Sequence, residues 1–481
     1  YIYEADEDVL GLIYISCKNI GNRKATGSYY TSTKVVKNLI NRLSFQEPVK
    51  VLDPCCGTGN FLLQLPDVLP FDSIYGNDID AASVKITRLN MALKYNVPVA
   101  AIYEHITGQD YLNDYAEKDF QYIIGNPPWG YDFSEEEKSH LRTIYKSATG
   151  KNIESYDIFI EQALNHLTDN GHLAYVLPEA ILNVKAHTNI RKTILENCSI
   201  KNLVFLGNAF DGVQCPCIIL DLQCTRSPLS TVGMNVNTGT ASFTINIERT
   251  VSAEYFSFTT SDAEYNIMCK IRSMPNSAYL LDNADFALGI VTGNNKQYIS
   301  DIKNENNEMI LKGADICKYH ITRTNNYIVF KPENFQQAAP TEMYRSPEKL
   351  LYRFISSQLV FAYDDKQTLS LNSCNIVIPR LPGIKIKYVL AILNSRIAQF
   401  IYKKEFNSVK VLRSHIENIP IPTADASTQA EIIALTDKLI SVLQADEAEK
   451  VYDELDLLVS KAFNLDSNEI EIINKAVEGD N

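Results

Sequence analysis

The chain has no run approaching 18 uninterrupted apolar residues, which excludes a helical membrane span. Its first residues, Tyr1-Ile2-Tyr3-Glu4-Ala5-Asp6-Glu7-Asp8, carry no basic side chain, so a secretory signal peptide is not expected. An initiator Met is missing too, which leaves processing, trimming or excision from a longer polypeptide open. Ten cysteines occur without a CxxC pair. Adjacent Cys55-Cys56 and the Cys215-Pro216-Cys217 bracket lack zinc-knuckle spacing, so no metal site is expected. Reduced thiols in a cytoplasmic protein are the economical reading. Tryptophan occurs once, at position 129.

What is present is ordinary in bulk. At 481 residues, with 45% hydrophobic and 21% charged content, the chain is too long for one core and predicts two or three domains. A net charge of -13 argues at first sight against a nucleic-acid partner. The distribution matters more than the sum. Over 425–480 acidic residues far outnumber basic ones, whereas Lys385, Lys387, Arg396, Lys403, Lys404, Lys410 and Arg413 stand against Glu405 alone. That stretch is either a local basic face or a solvated surface.

Residues 1–25 read as a helix over 7–15 followed by a Gly/Asn/Lys linker. From residue 50 strands and helices alternate, the pattern of a mostly parallel sheet covered by helices. Strands are expected at 49–53, 73–78, 100–106, 120–125, 172–177, 201–206 and 217–222, with helices at 81–94, 156–167 and 186–196. After about 225 the alternation stops. Short β-like stretches at 241–247, 286–291, 327–330 and 375–379 predict a second, irregular domain. Helices follow at 430–443, 448–463 and 467–477, with Asp466-Ser467 as a helix start.

Four segments carry chemistry. Val51-Leu52-Asp53-Pro54-Cys55-Cys56-Gly57-Thr58-Gly59-Asn60-Phe61 is a strand entering a Gly-rich turn and a helix, where backbone can approach a ligand closely. The acid precedes the glycines and no Lys-Ser/Thr follows them, so a cationic ligand group suits the loop better than a pyrophosphate. Asp78 closes the next strand, where a carboxylate can grip two ribose hydroxyls. Asp110 follows the third, where it can accept from an adenine amino group. Three acids at successive strand ends beside a Gly turn describe a site for S-adenosylmethionine. Each acid alone could equally cap a helix or form a turn. After the apolar run Phe120-Gln121-Tyr122-Ile123-Ile124-Gly125 comes Asn126-Pro127-Pro128-Trp129, a rigid turn at a sheet edge whose prolines fix φ and remove donors. An Asn amide, a fixed carbonyl and an aromatic face can hold a planar amino group and stack on its ring.

Together, Gly27-Ser28-Tyr29-Tyr30-Thr31-Ser32, Asp53 to Asn60, Asp78-Ile79-Asp80, Asp110 and Asn126-Pro127-Pro128-Trp129, in that order and with a long segment after them, resemble the gamma class of DNA adenine-N6 methyltransferases. These enzymes occur in restriction–modification systems and as orphans. The resemblance is specific over about 25–225 and looser to about 420, where 286–293 and 389–395 resemble recurring segments of a target-recognition domain. It implies an α/β fold: a Rossmann-like methyltransferase domain with a mostly parallel seven-stranded sheet at 26–228, then an α+β target-recognition domain at 229–424. Residues 1–25 form an N-terminal helix and linker, and 425–481 acidic C-terminal helices.

Position by position, the resemblance implies that Thr31 contacts the methionine carboxylate and that Gly57 and Gly59 permit close approach. Asp53 would lie beside the methionine amino group, Asp78 would hold the ribose, Ile79 would pack on the cofactor adenine and Asp110 would hold its amino group. Asn126 and the Pro127 carbonyl would accept from the target N6 amino group. Trp129 would stack on the extruded base, with Phe210 in Gly207-Asn208-Ala209-Phe210-Asp211-Gly212 as a second stacking ring. Lys403, Lys404, Lys410 and Arg413 are the candidate DNA contacts. The implied partners are double-stranded DNA and a restriction or specificity subunit. Methylation of RNA or of a protein glutamine uses a similar Asn-Pro-Pro-aromatic turn, but such enzymes carry far less chain beyond the catalytic domain.

Overall fold

A computed structural model describes residues 7–17, 30–45, 49–210, 214–322, 324–406, 408–441 and 444–478. The expected linker over 18–25, and Gly27-Ser28-Tyr29 of the first motif, lie outside the described residues. The chain divides into two compact units, Tyr1–Asp262 and Ala263–Asn481.

The first unit is built on one nine-stranded sheet. Its strands are β1 Val51–Asp53, β2 Ile74–Asn77, β3 Ile106–Thr107, β4 Phe120–Gly125, β5 Leu167–Pro178, β6 Cys198–Gly207, β7 Cys217–Cys224, β8 Met234–Asn237 and β9 Ser242–Ile245. They lie in the order β3-β2-β1-β4-β5-β7-β6-β8-β9. From β3 to β5 every pairing is parallel, while β7 runs antiparallel to both β5 and β6. Strands covered on both faces must be apolar along their length, and Val51, Leu52, Ile123 and Ile124 are accordingly fully buried. The chain enters the sheet at its centre, walks outward through β2 and β3, then returns to β4 on the other side of β1. That reversal leaves a crevice at the carboxyl ends of β1 and β4.

Six of the seven expected strands are present, and β8 and β9 extend the sheet past the expected boundary at 228. The third differs in kind. Most of 100–106 is helix, Val99–His105, and β3 keeps two residues. Pro98 opens that helix, and only Ile102 and His105 are buried while Val99 and Tyr103 are exposed. The apolar run therefore has helical spacing, three residues apart, rather than a strand's alternation.

The second unit holds two four-stranded sheets, a two-stranded ribbon and helices. Helix Ile386–Asn394 is the hub, buried from Tyr388 through Asn394. The acidic helices Ala426–Ile440, Ala445–Ala462 and Ser467–Glu478 are not a separate appendage. Ile432, Leu455, Val459, Phe463 and Ile473 join the same core as Val389 and Ile392. No helix among the described residues is long and apolar enough to cross a membrane, and all ten cysteines are free thiols.

An N-terminal helix, Val9–Cys17, is fastened to the first unit by a fully buried carboxylate. Asp8 accepts from the Gly11 amide at 2.8 Å, from Asn90 Nδ2 at 2.9 Å and from the Thr58 hydroxyl. Asp8→Ala leaves a buried hydroxyl and an amide N–H without their acceptor, a loss of about 2 kcal/mol. The urea midpoint of the first unit, followed by the fluorescence of its single tryptophan, should fall accordingly. An unchanged midpoint would mean that Asp8 does not hold this helix.

Candidate functional site

At the crevice lies a cavity of about 400 Å³. Loops leaving β1, β2, β3 and β4 line it, joined by Ile15 of the N-terminal helix and by Tyr30 and Thr31. After β1 the chain turns through Gly57 and Gly59 at φ 53° and 95°, a region that favours glycine. The Gly57 amide donates to Asp78 Oδ2 and the Asp80 amide to Asp78 Oδ1, each at 2.8 Å. Two backbone donors thus brace the Asp78 carboxylate on the cavity wall, with Ile79 exposed beside it. Asp110 also lines the cavity, but its oxygens already accept from the Leu112 amide at 2.9 Å and Asn113 Nδ2 at 2.7 Å. Here the turn-forming role of that acid is realised in full.

Asp53 is fully buried and is not on the cavity wall. Its Oδ1 accepts from the Cys55 amide at 3.2 Å, and Oδ2 has no partner among the described residues. Burial pushes this carboxyl well above the usual range, because desolvation penalises the charged form. Gly125 makes the placement possible, since a β-carbon there would stand 2.6 Å from Asp53 Oδ1.

The turn after β4 is held by its neighbours. Asn126 Nδ2 donates to Thr31 Oγ1 at 3.0 Å, and Asn60 Nδ2 holds the Thr31 carbonyl at 2.7 Å. With Nδ2 so occupied, Asn126 Oδ1 is a buried acceptor without a partner among the described residues. The Cys55 thiol donates to the Asn126 carbonyl at 3.4 Å, and the Ser155 hydroxyl to the Pro128 carbonyl at 2.5 Å. Pro127 is buried between these anchors. Thr31 and Asn126, far apart in sequence, are therefore brought together.

Trp129 and Phe210 meet as well, but not as a sandwich. Their rings touch edge to face at 4.9 Å and 83°, each 7% exposed. A base stacked between two rings needs them parallel and two stacking distances apart, so this arrangement is closed. Asp211 and Gly212 of the Phe210 segment lie outside the described residues.

The expected basic face is largely neutralised within the second unit. Lys404 pairs with Glu264 at 2.8 Å, Lys387 with Asp437 at 2.6 Å, and Arg396 with Asp453 at 2.6 Å. Arg413 pairs with Glu417 at 2.5 Å, and Lys403 Nζ donates to the Ala476 carbonyl at 2.7 Å. Lys410 is exposed. Two of these four acids, Asp437 and Asp453, come from the C-terminal helices, which the sequence pattern treats as a distant segment.

Several site residues escaped the sequence reading. Asn77 is fully buried and ties three loops together: Nδ2 donates to the Pro54 and Gln109 carbonyls, and Oδ1 accepts from Thr107 Oγ1 and the Gln109 amide. A polar residue closing the apolar strand Ile74-Tyr75-Gly76 was the available signal. Tyr14, whose hydroxyl donates to Asp80 Oδ2 at 2.7 Å, and Ser155 gave none.

Residues 5–248 match the family model described as N-6 DNA Methylase, and residues 308–421 match that of a TaqI-like C-terminal specificity domain. The chain is 29% identical over 321 residues to the type II methyltransferase M.VspI of Vibrio sp. (strain 343), covering 66% of this chain and 76% of that protein. It is 30% identical over 166 residues to the type II methyltransferase M.CvrRI of Paramecium bursaria Chlorella virus XZ-6E, covering 34% of this chain and 40% of that protein. Among solved structures it is similar to the Type IIL restriction-modification enzyme MmeI in complex with DNA. The TM-score is 0.59 at 12% identity, over 98% of this chain and 81% of that one, a likeness of fold alone.

Because Trp129 is the sole tryptophan, its emission reports on this site. Phe210→Ala should uncover the indole, shifting its emission to the red and raising its quenching by acrylamide. Unchanged emission would show that Phe210 does not cover Trp129.

Proposed function

We propose, from the premise that the chain belongs to the N-6 DNA methylase family, that it methylates N6 of an adenine turned out of duplex DNA, with S-adenosylmethionine as the donor. The observation that carries this reading is the buried, unpartnered Asn126 Oδ1 beside the Pro127 carbonyl, at the carboxyl end of β4 and against the cavity. A buried acceptor without a donor is costly to maintain, and an amino group entering the site supplies the donor.

The cavity residues fit the cofactor. Asp78, braced by two amides, has the chemistry to hold ribose hydroxyls, with Ile79 and Asp110 toward the adenine. Gly57 and Gly59 admit close approach. Thr31 stands on the wall toward the methionine carboxylate, and Asp53 Oδ2, without a partner among the described residues, is an acceptor for the methionine ammonium. When bound, S-adenosylmethionine supplies an electrophilic methyl group on a sulfonium sulfur.

The nitrogen of an adenine amino group is a weak nucleophile because its lone pair is delocalised into the ring. Asn126 Oδ1 and the Pro127 carbonyl accept its two hydrogens, favouring a pyramidal nitrogen with its lone pair aimed at the methyl group. That is orientation with preorganised dipoles. The nitrogen's extra proton leaves after transfer, so no strong base is required. Nor is a thiol: burial pushes Cys55 and Cys56 well up, leaving them protonated and unreactive. Trp129 stacks on the extruded base, with Phe210 as its second aromatic contact once the pair has opened, offsetting part of the few kcal/mol that flipping costs.

Target reading falls to the second unit through its TaqI-like specificity domain. Lys410 remains its candidate backbone contact, whereas Lys403, Lys404 and Arg413 are engaged within the unit. With target reading in the same chain, a restriction enzyme for the same site is the expected protein partner.

Asn126→Ala should lower methyl transfer at least about a hundredfold while leaving cofactor affinity within twofold of the starting enzyme. Turnover near the starting rate would reject the acceptor role. Asp78→Ala should instead weaken cofactor binding about tenfold or more, read by calorimetry, and unchanged affinity would reject the ribose role. Mapping modified bases in DNA exposed to enzyme and cofactor should place N6-methyladenine at one recurring sequence. Methylation confined to RNA or protein would overturn the reading.

A further inference from the structure

The acceptor turn has an unusual mechanical problem. Pro127 and Pro128 carry no N–H, so the turn cannot be held by donating to neighbouring backbone. Gly130 follows at φ 65°, exposed, and adds no stiffness. The rings fix φ at both prolines, and the freedom left in ψ, which aims the Pro127 carbonyl, is limited by what grips the carbonyls on either side. On one side the Cys55 thiol donates to the Asn126 carbonyl at 3.4 Å, a weak bond from sulfur. On the other the Ser155 hydroxyl donates to the Pro128 carbonyl at 2.5 Å and receives the Tyr131 amide at 3.5 Å. One hydroxyl thus spans both flanks of Trp129.

We propose that Ser155 is the positioning residue of the acceptor turn, fixing the Pro127 carbonyl for transfer. Three observations separate this role from that of an ordinary helix start. Ser155 is the first residue of helix Ser155–His166 and is fully buried. The residue in the cap position is Glu154, which makes no side-chain cap bond, and both hydrogen bonds of the Ser155 hydroxyl leave the helix for the turn. The helix start is itself immobilised. Tyr156 bonds His187 Nε2 at 2.7 Å, and Asp157 bonds His187 Nδ1 at 2.9 Å. One turn on, Glu161 accepts from the amides of Lys146 and Ser147 at 3.0 and 2.8 Å. The hydroxyl is therefore presented from a rigid element, as a group that positions another must be.

The inference rests on the reading of Asn126 and Pro127 as the acceptors, so Asn126→Ala is measured beside it. The full chain is tested with duplex DNA in which 2-aminopurine replaces the target adenine, for base extrusion, and with unmodified duplex for single-turnover transfer. Ser155→Ala should slow single-turnover transfer on the order of 10- to 100-fold, with cofactor affinity and 2-aminopurine fluorescence within twofold of the starting enzyme. Ser155→Thr, which keeps the hydroxyl, should recover most of the rate. Should the Ala variant not fold, Ser155→Cys, nearly isosteric and a weaker donor, should show the same loss confined to the rate. A Ser155→Ala rate within twofold, with Asn126→Ala inactive, overturns the Ser155 role alone. A fully active Asn126→Ala overturns the acceptor reading beneath it. Cofactor affinity falling in parallel with rate would reduce Ser155 to a folding residue and also reject the inference.

Discussion

Two adjacent residues without amide hydrogens, Pro127 and Pro128, are the constraint on which the site depends. They end β4 at the crevice where the sheet order reverses, and they leave carbonyls that no local ladder can pair. Everything that orients the turn must come from elsewhere: Thr31 from before the sheet, Cys55 from the loop after β1, Ser155 from the helix before β5. The folding of distant segments and the geometry of the acceptors are thus one problem. Gly125 belongs to it as well, because only a residue without a β-carbon leaves space for the Asp53 carboxylate.

Charge is used sparingly where the chemistry is proposed to occur. Asp53 is buried off the cavity wall, the thiols of Cys55 and Cys56 are on it, and burial pushes all three toward their neutral forms. Fixed dipoles, from the Asn126 amide and the Pro127 carbonyl, need no reorganisation as the reacting nitrogen changes shape. In the second unit the opposite economy holds. Cations and carboxylates are both numerous there, and partly exposed pairs such as Lys387–Asp437 and Arg396–Asp453 contribute little to stability. Their effect is on potential: acids of the C-terminal helices, with Glu264 and Glu417, cancel part of the positive charge that a linear count assigns to 385–413.

The sheet was readable because its strands are continuous apolar runs ending in chemistry-bearing residues, as in Ile123-Ile124-Gly125-Asn126. Where an apolar run has helical spacing instead, as from Val99 to His105, composition alone misassigns it. Asp78, Asp110 and Asn126 line the cavity and are legible because glycines, prolines and acids at strand ends are local signals, whereas Ile79 follows only from the family resemblance. Ser155 and Asp8 carry no local signal. A serine at a helix start and an aspartate before an apolar segment are ordinary, and only long-range packing sets what their oxygens face. The same limit explains the basic stretch, most of whose partners lie in helices dozens of residues away. It also explains Asp53, whose position in the motif says nothing about its depth.

The closed Trp129–Phe210 pair fits the energetics of the proposed reaction better than an open slot would. An edge-to-face contact of this kind is worth roughly 0.5–1.5 kcal/mol beyond its burial. Stacking one base on an aromatic side chain is worth about 1–3 kcal/mol. Exchanging the first for the second therefore leaves a small net gain, set against a flipping cost of a few kcal/mol. An empty slot between parallel rings would expose both faces to water at greater cost and gain nothing until a base arrived. With the rings packed on each other the apolar surface stays dry, each at 7% exposure. An extruded base then competes only with a contact of about its own strength. Discrimination is left to groups that cannot be satisfied by any ring, the buried Asn126 Oδ1 and the Pro127 carbonyl, which demand an amino group.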